Sequence, residues 1–294
     1  MRVLITGGGG FLAGHLSAYL LTIAGLEVRT LRRTECDLSC DKERLIATLS
    51  SFQPDRVFHL AGRIRGLESE LDRDNRLASV NVLESVRQEA PAARVVLGSS
   101  AAVYGEGGTA AAPVTESQAP IPGSTYAISK YAAELEARTY AKAGLWIAIA
   151  RMSNPIGPNM NVALLPGTLA RQIVEIERGK PPVLTLRDLK PKRDFLSVRD
   201  CVRALWCISE AGTPGAVYNV ASGVSTAVAD LVALYLNLAR VRPIEVRSIA
   251  AAGERSPVQE QWMSNASLQT LGWRHRETLL DAVRDQLDAE RACA

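Results

Sequence analysis

Tyr126 and Lys130 stand four residues apart in the segment Tyr126-Ala127-Ile128-Ser129-Lys130. On a helix, residues i and i+4 share a face, so the phenol and the ammonium can share one site. A free tyrosine, with a pKa near ~10, is a poor acid–base at neutral pH. A neighbouring cation stabilises the phenolate and lowers that value. Such a tyrosine can exchange a proton with a carbonyl/alcohol pair while hydride moves to or from a nicotinamide. Ser124 is suited to cap the helix start. The spacing alone is common among surface neighbours, so a further element is needed. Ser99-Ser100 supplies it by closing the strand-like run 94–98, at the sheet edge where ligands of parallel sheets bind. Ser100 is placed there to hydrogen-bond a reacting oxygen.

A second site lies near the start of the chain. Thr6-Gly7-Gly8-Gly9-Gly10-Phe11-Leu12-Ala13 follows a strand-like run and opens a helix-like one. Gly7 permits a sharp turn and Gly10 a close approach of backbone to a pyrophosphate, while Ala13 lets helix pack on strand. The helix N-terminus offers N–H groups to the phosphates. The next strand would end in an acid if NAD were preferred. Arg32-Arg33 stands there instead, which favours the 2′-phosphate of NADP, with NAD as the alternative.

These residues need a frame. Strand patterns at 2–6, 27–31, 56–60, 94–98 and 145–150 alternate with helix patterns at 11–24, 41–51, 75–89 and 126–143. That rhythm predicts a doubly wound parallel α/β sheet of the Rossmann kind. The second half is less regular, with a loop at 153–166, helices at 168–178, 228–239 and 279–289, and a strand at 216–220. The expected division is a dinucleotide-binding domain over 1–152 and a smaller α/β substrate-binding domain over 153–294. Part of 194–222 would return to the first.

Totals set the outer bounds. The chain has 294 residues, 47% hydrophobic and 22% charged, with a net charge of +3. No basic tail or aromatic–basic stripe points to nucleic acid, and no stretch reads as a membrane or secretory segment. Five scattered cysteines fit reduced thiols in a cytoplasmic protein. Cys36 and Cys40 are spaced for a metal but have no His or further Cys nearby in sequence, so no metal site is expected. His59 reads as a core histidine and His15 as a packing or capping one. Trp206, Tyr235 and Trp273 read as core.

The chain resembles the extended short-chain dehydrogenase/reductases, the NAD-dependent epimerase/dehydratase family. The resemblance rests on TGGGGFLAGHL from Thr6, PDRVFHLAG from Pro54, NRLASVNVLES from Asn75, GSSAAVYG from Gly98, YAISK from Tyr126, RMSNPIGP from Arg151, RDFLSVRD from Arg193, YNVASG from Tyr218 and LGW from Leu271. It covers nearly the whole chain. It implies a catalytic set of Ser100, Tyr126 and Lys130. Gly7, Gly10, Phe11 and Leu12 would cradle the pyrophosphate. Asp37 and Leu38 would border the adenine, Ala61 and Gly62 would lie along the coenzyme, Asn75 would support that loop, and Ser99 would join the coenzyme site. Asn154, Arg193 and Arg255 would face the diphosphate of a nucleotide-sugar substrate.

Sugar dehydratases of this group carry Thr-Asp-Glu or a close variant where this chain has Ser100-Ala101-Ala102. Alanines cannot transfer protons, and Glu106 would substitute only if its loop folded back. Segments such as DLKPKRDFLSVRDCVRAL and GERSPV are similar to the branch holding GDP-mannose 4,6-dehydratases and GDP-4-keto-6-deoxymannose reductases. The resemblance therefore implies an NADP-dependent reductase of a nucleotide-linked 4-keto-6-deoxy sugar. An epimerase with tightly bound NAD is the second reading, and a non-catalytic NAD(P)-binding redox sensor the third. Arg63 and Arg65 replace a longer Ser-rich segment of the family, as solvated charges or as an anion contact. A homodimer is expected, because Leu77, Val80, Leu83, Tyr131, Leu135 and Tyr140 extend beyond one core-facing stripe.

Overall fold

The computed structural model describes residues 1–105, 112–249 and 258–293. Five strands, β1 (Arg2–Thr6), β2 (Glu27–Leu31), β3 (Arg56–His59), β4 (Arg94–Ser100) and β5 (Ile147–Met152), join the later strand Val217–Val220 in one sheet. All its pairings are parallel. The spatial order is Val217–Val220, β5, β4, β3, β1, β2. The chain leaves β1 first toward β2 and later returns on the other side at β3. The carboxyl ends of β1 and β3 therefore flank a crevice, the switch point where such sheets bind ligands.

The strands read as near-continuous apolar runs because both faces of the sheet are covered. On one face Val3, Ile5, Phe58 and Val96 pack with α1 (Phe11–Leu20) and the helix Val198–Ala211. On the other, Leu4, Val57, Val95 and Ile149 pack with α2 (Lys42–Phe52) and with two helices introduced below. A further core around Ile156, Leu169, Ile173, Phe195, Leu231 and Tyr235 lies among the later elements.

Several boundaries differ from the sequence reading. The first helix stops at Leu20, not 24. The N–H groups of Thr22 and Ile23 bond three residues back, to Tyr19 and Leu20, and Gly25 turns the chain with φ of 80°. The helix expected at 75–89 starts earlier, as α3 (Glu68–Leu71), then a π-turn over Asp72–Leu77, then α4 (Ala78–Glu89). Residues 153–166 are not all loop. Asn154–Ile156 is a strand parallel to Phe195–Ser197. The next helix begins at Leu165, with Pro166 in its first turn, where a missing N–H costs nothing.

The fifth helix, α5 (Thr125–Lys142), is capped by Ser124, whose hydroxyl accepts from the Ala127 N–H at 3.2 Å. α4 and α5 complete the second face of the sheet. Leu83 is buried there and Tyr140 packs against the same core, so neither extends an outer stripe as expected. Leu77, Ile128 and Leu135 do lie exposed.

Candidate active site

The glycine turn joins the two strand ends. Gly7 has φ of 76°, and a Cβ on it would stand 2.7 Å from the Ala61 nitrogen. The Gly10 N–H donates to the Gly7 carbonyl at 2.7 Å, closing the turn. Gly10 then caps α1, and no side chain caps that terminus. Its first N–H groups are thus left for a ligand. A Cβ on Gly9 would meet no protein atom within 4 Å, on a turn that lines the cleft.

The cleft has a volume of about 360 Å³. Gly7, Gly9 and Gly10 form one part, Arg33, Asp37 and Leu38 another, and Ala61, Gly62 and Asp74 the facing wall. A backbone floor, an apolar wall and a guanidinium suit a dinucleotide, so the residues present fit the expected coenzyme. Asn81 donates to the Leu38 carbonyl at 2.8 Å and fixes that wall. Phe11 and Leu12 turn their side chains elsewhere. Phe11 meets His15 edge-on at 5.1 Å, and Leu12 packs into the core. His15 hydrogen-bonds the Pro158 carbonyl at 2.8 Å.

Of the two expected phosphate readers, only Arg33 lines the cleft. Arg32 is exposed, and its stem packs near Gly8. Arg33 pairs with Asp37 at 2.8 Å and with Asp74 at 2.9 Å. Asp74 also takes Arg63 at 2.6 Å and Arg73 at 2.7 Å. Burial pushes the Asp74 carboxyl up, but hydrogen bonds from the three arginines outweigh it and hold the group well below the usual carboxylate range. Arg63 is therefore a paired side chain. Arg65 donates to the Ala163 carbonyl at 2.9 Å.

The π-turn explains the wall. Its extra residue aims Asp74 at the arginines and Asn75 at the loop after β3. Asn75 accepts from the Arg63 N–H at 2.8 Å and donates to the Arg63 carbonyl and to Ser129. Single π-turns inside helices are frequent at functional sites.

Tyr126, Lys130 and Ser100 converge at the carboxyl end of β4. The Ser100 hydroxyl accepts from the Ala102 N–H at 3.2 Å and stands beside the Tyr126 phenol. Lys130 is buried and donates to the Gly98 carbonyl at 2.6 Å. A Cβ on Gly62 would lie 3.7 Å from its ammonium, so the lysine reaches the cleft. The expected electrostatics need correction. Burial pushes the Tyr126 phenol up, and Ser100, not Lys130, opposes this. Burial also pushes Lys130 down, to about 8, against the pull of Glu134. With its phenol raised above the ordinary tyrosine value by burial, Tyr126 keeps its proton at neutral pH and can act as a donor.

Ser99 is also corrected. Its hydroxyl is buried and donates to Glu134 at 2.5 Å, so the side chain faces away from the coenzyme. His59 is a satisfied core histidine, bonded to Thr6 at 2.7 Å and Ser79 at 3.0 Å. Burial drives its pKa to about 3.

The expected substrate residues are less exposed to a ligand. Asn154 donates to the Asp194 carbonyl at 2.8 Å. Arg193 donates to the carbonyls of Lys192 and Val258, and burial lowers its pKa. Arg255 and Glu106 lie outside the described residues. Sequence reasoning passed over Asp74, Asn81, Glu134 and Arg151. The last two carried a signal: a carboxylate one turn beyond Lys130, and an arginine inside the apolar run Ile147-Ala148-Ile149-Ala150-Arg151-Met152.

A doubly wound sheet with a glycine turn at its switch point and a Ser, Tyr and Lys set at β4 defines a nicotinamide-dependent enzyme of the extended short-chain dehydrogenase/reductase type. The model of the NAD dependent epimerase/dehydratase family matches residues 3–221, and the chain belongs to that family. It is 31% identical to GDP-6-deoxy-D-mannose reductase of Pseudomonas aeruginosa, over 96% of this chain and 95% of that protein. It is 28% identical to dTDP-6-deoxy-L-talose 4-dehydrogenase (NAD(P)(+)) of Kitasatospora kifunensis, over 98% and 95%. The structure of RMD from Pseudomonas aeruginosa complexed with NADPH superposes with a TM-score of 0.90 at 29% identity, covering 100% of this chain and 99% of that one. UDP-glucose 4-epimerase of Thermus thermophilus with NAD gives 0.87 at 26%, covering both chains completely.

Proposed function

We propose that the protein is an NADP-dependent reductase of a nucleotide-linked 4-keto-6-deoxy sugar. The observation that carries this reading is Tyr126 beside Ser100 at the carboxyl end of β4, with alanines, not acids, at 101 and 102. When bound, the nicotinamide supplies hydride for the 4-keto carbon. Ser100 orients the carbonyl oxygen, and Tyr126 gives that oxygen its hydroxyl proton. The Lys130 ammonium, held on the Gly98 carbonyl, stands at the cleft wall beside Gly62. A dehydratase needs a further acid–base to remove water, and Ala101 and Ala102 have no titratable group. The reductase of Pseudomonas aeruginosa, similar over nearly its full length, supports the substrate class.

Arg33 is the residue placed to read the 2′-phosphate, with Asp37 and Leu38 beside the adenine. Asn154, Arg193 and Arg255 are proposed for the substrate diphosphate, and reaching it requires Arg193 to exchange its backbone partners. Residues 1–152, together with the returning Val198–Ala211 and Val217–Val220, form the coenzyme unit, and the remaining later elements form the substrate unit. No described helix is long and apolar enough to cross a membrane. We place the enzyme in the cytoplasm as a homodimer joined through Leu77, Ile128 and Leu135. Purified protein mixed with NADPH and a GDP-linked 4-keto-6-deoxyhexose should oxidise the coenzyme. Protein that carries NAD and turns over without added NADPH would support an epimerase instead.

A further inference from the structure

Behind the catalytic side chains lies a buried charged row that the proposed chemistry leaves unused. Ser99 on β4, Arg151 on β5 and Asn219 on the strand Val217–Val220 stand in register. Glu134 meets this row from α5, one turn beyond Lys130. Arg151 and Glu134 are 1% and 0% exposed and pair at 2.6 Å. Ser99 donates to the same carboxylate at 2.5 Å. The Arg151 guanidinium stacks 4.6 Å from the ring centre of Tyr104, which follows Ser100 on the turn Ala101–Tyr104. Tyr104 in turn donates to Asn219 at 2.7 Å. An apolar pair of the same shape would often be equally stable.

We propose that Glu134 is the positioning residue of the catalytic set: it clamps α5 to β4 through Ser99, and its charge, fixed by Arg151, keeps the Lys130 ammonium protonated beside the coenzyme cleft. Among the described residues, the groups around Lys130 leave Glu134 as the source of negative charge. On α5 the neighbours are Tyr126, a neutral phenol, and Glu134. β4 offers the Gly98 carbonyl. β3 offers His59, which is neutral at ordinary pH and would oppose the lysine if charged. The π-turn offers the neutral Asn75, and β5 offers Arg151, a like charge. Without Glu134, burial would favour the neutral amine. Ser99 adjoins Ser100 on β4, and Lys130 and Glu134 stand one and two turns beyond Tyr126 on α5, so the clamp sets the gap between the two hydroxyls.

The inference rests on the coenzyme reading, since an anionic dinucleotide in the cleft would sense the ammonium. The test is NADPH affinity of the full-length protein by fluorescence titration across pH 6 to ~10. Wild-type affinity should weaken as pH rises through about 8, where Lys130 loses its proton. Glu134→Gln should move that midpoint down by roughly one pH unit. Glu134→Asp, which keeps the charge, should restore it. A purely structural role would weaken binding equally at every pH, and an unmoved midpoint in Glu134→Gln would overturn the proposal. If Glu134→Gln does not fold, Glu134→Gln with Arg151→Met removes both buried charges and carries the same expectation. If neither folds, Ser99→Ala must lower turnover while leaving the midpoint in place, and unchanged turnover would count against the clamp. A wild-type protein that binds no coenzyme at any pH contradicts the coenzyme reading. The same midpoint comparison is then read from Lys130 Nζ by NMR of nitrogen-labelled lysine.

Discussion

Tyr126 is a donor because desolvation of its phenol beside Ser100 holds the pKa above the ordinary tyrosine value. Tyr126→Phe keeps the ring and removes only the proton. Turnover should fall by roughly 10² to 10⁴ with NADPH affinity nearly unchanged. A matching loss of affinity would mean the phenol serves binding. Arg33 gives a second prediction at this scale. A charge-assisted hydrogen bond contributes about 1.5–3 kcal/mol, so Arg33→Ala should raise the KM for NADPH by roughly 10- to 100-fold and leave that for NADH nearly unchanged. Arg32→Ala should do little, because Arg32 stands outside the cleft. Equal effects of both substitutions would contradict the assignment. His59 concerns stability. Its folded pKa is depressed to about 3, so its contribution is fully present above the unfolded value near ~6.5 and is lost as pH falls toward 3. Between pH 7 and pH 4 that loss is on the order of 3 kcal/mol. Urea unfolding of His59→Gln should show a flatter acid limb than the wild type.

At the scale of elements, the glycine turn and the π-turn do the positioning. Gly7 combines a positive φ with Ala61 backbone where a methyl would sit, so Gly7→Ala strains the turn twice. It should cost about 1–3 kcal/mol of stability and weaken coenzyme binding together. Scanning calorimetry and NADPH titration check both, and a stable variant with normal affinity would refute the turn's role. The sequence showed the glycine turn because its residues adjoin in the chain. The sheet was legible for the same kind of reason, since buried parallel strands leave plain apolar runs at 2–6, 56–60 and 94–98. The π-turn was not legible. A helix pattern at 75–89 records which residues are apolar, and one extra residue per turn changes where Asp74 and Asn75 point without changing their type. The pairing of Lys130 with Gly98 was hidden likewise, because it depends on how α5 seats on β4.

For the whole molecule, the coenzyme half was more legible than the substrate half. Gly7, Arg33, Ala61 and Gly62 gather in one cleft from chain positions that a Rossmann rhythm brings together. Asn154 and Arg193 sit on short strands whose pairing no local pattern announces, and both are spent on backbone carbonyls. The exposed Leu77, Ile128 and Leu135 bear on assembly. A homodimer through this face predicts twice the chain mass by light scattering, and Leu135→Glu should yield monomers.

The central claim is hydride delivery from NADPH to a nucleotide-linked 4-keto sugar with Tyr126 as proton donor. Its most direct test is the stoichiometry of NADPH oxidation with a GDP-linked 4-keto-6-deoxyhexose. One coenzyme consumed per 4-hydroxy product, abolished in Tyr126→Phe, is the predicted result. Sugar product formed with no net NADPH consumed would contradict it.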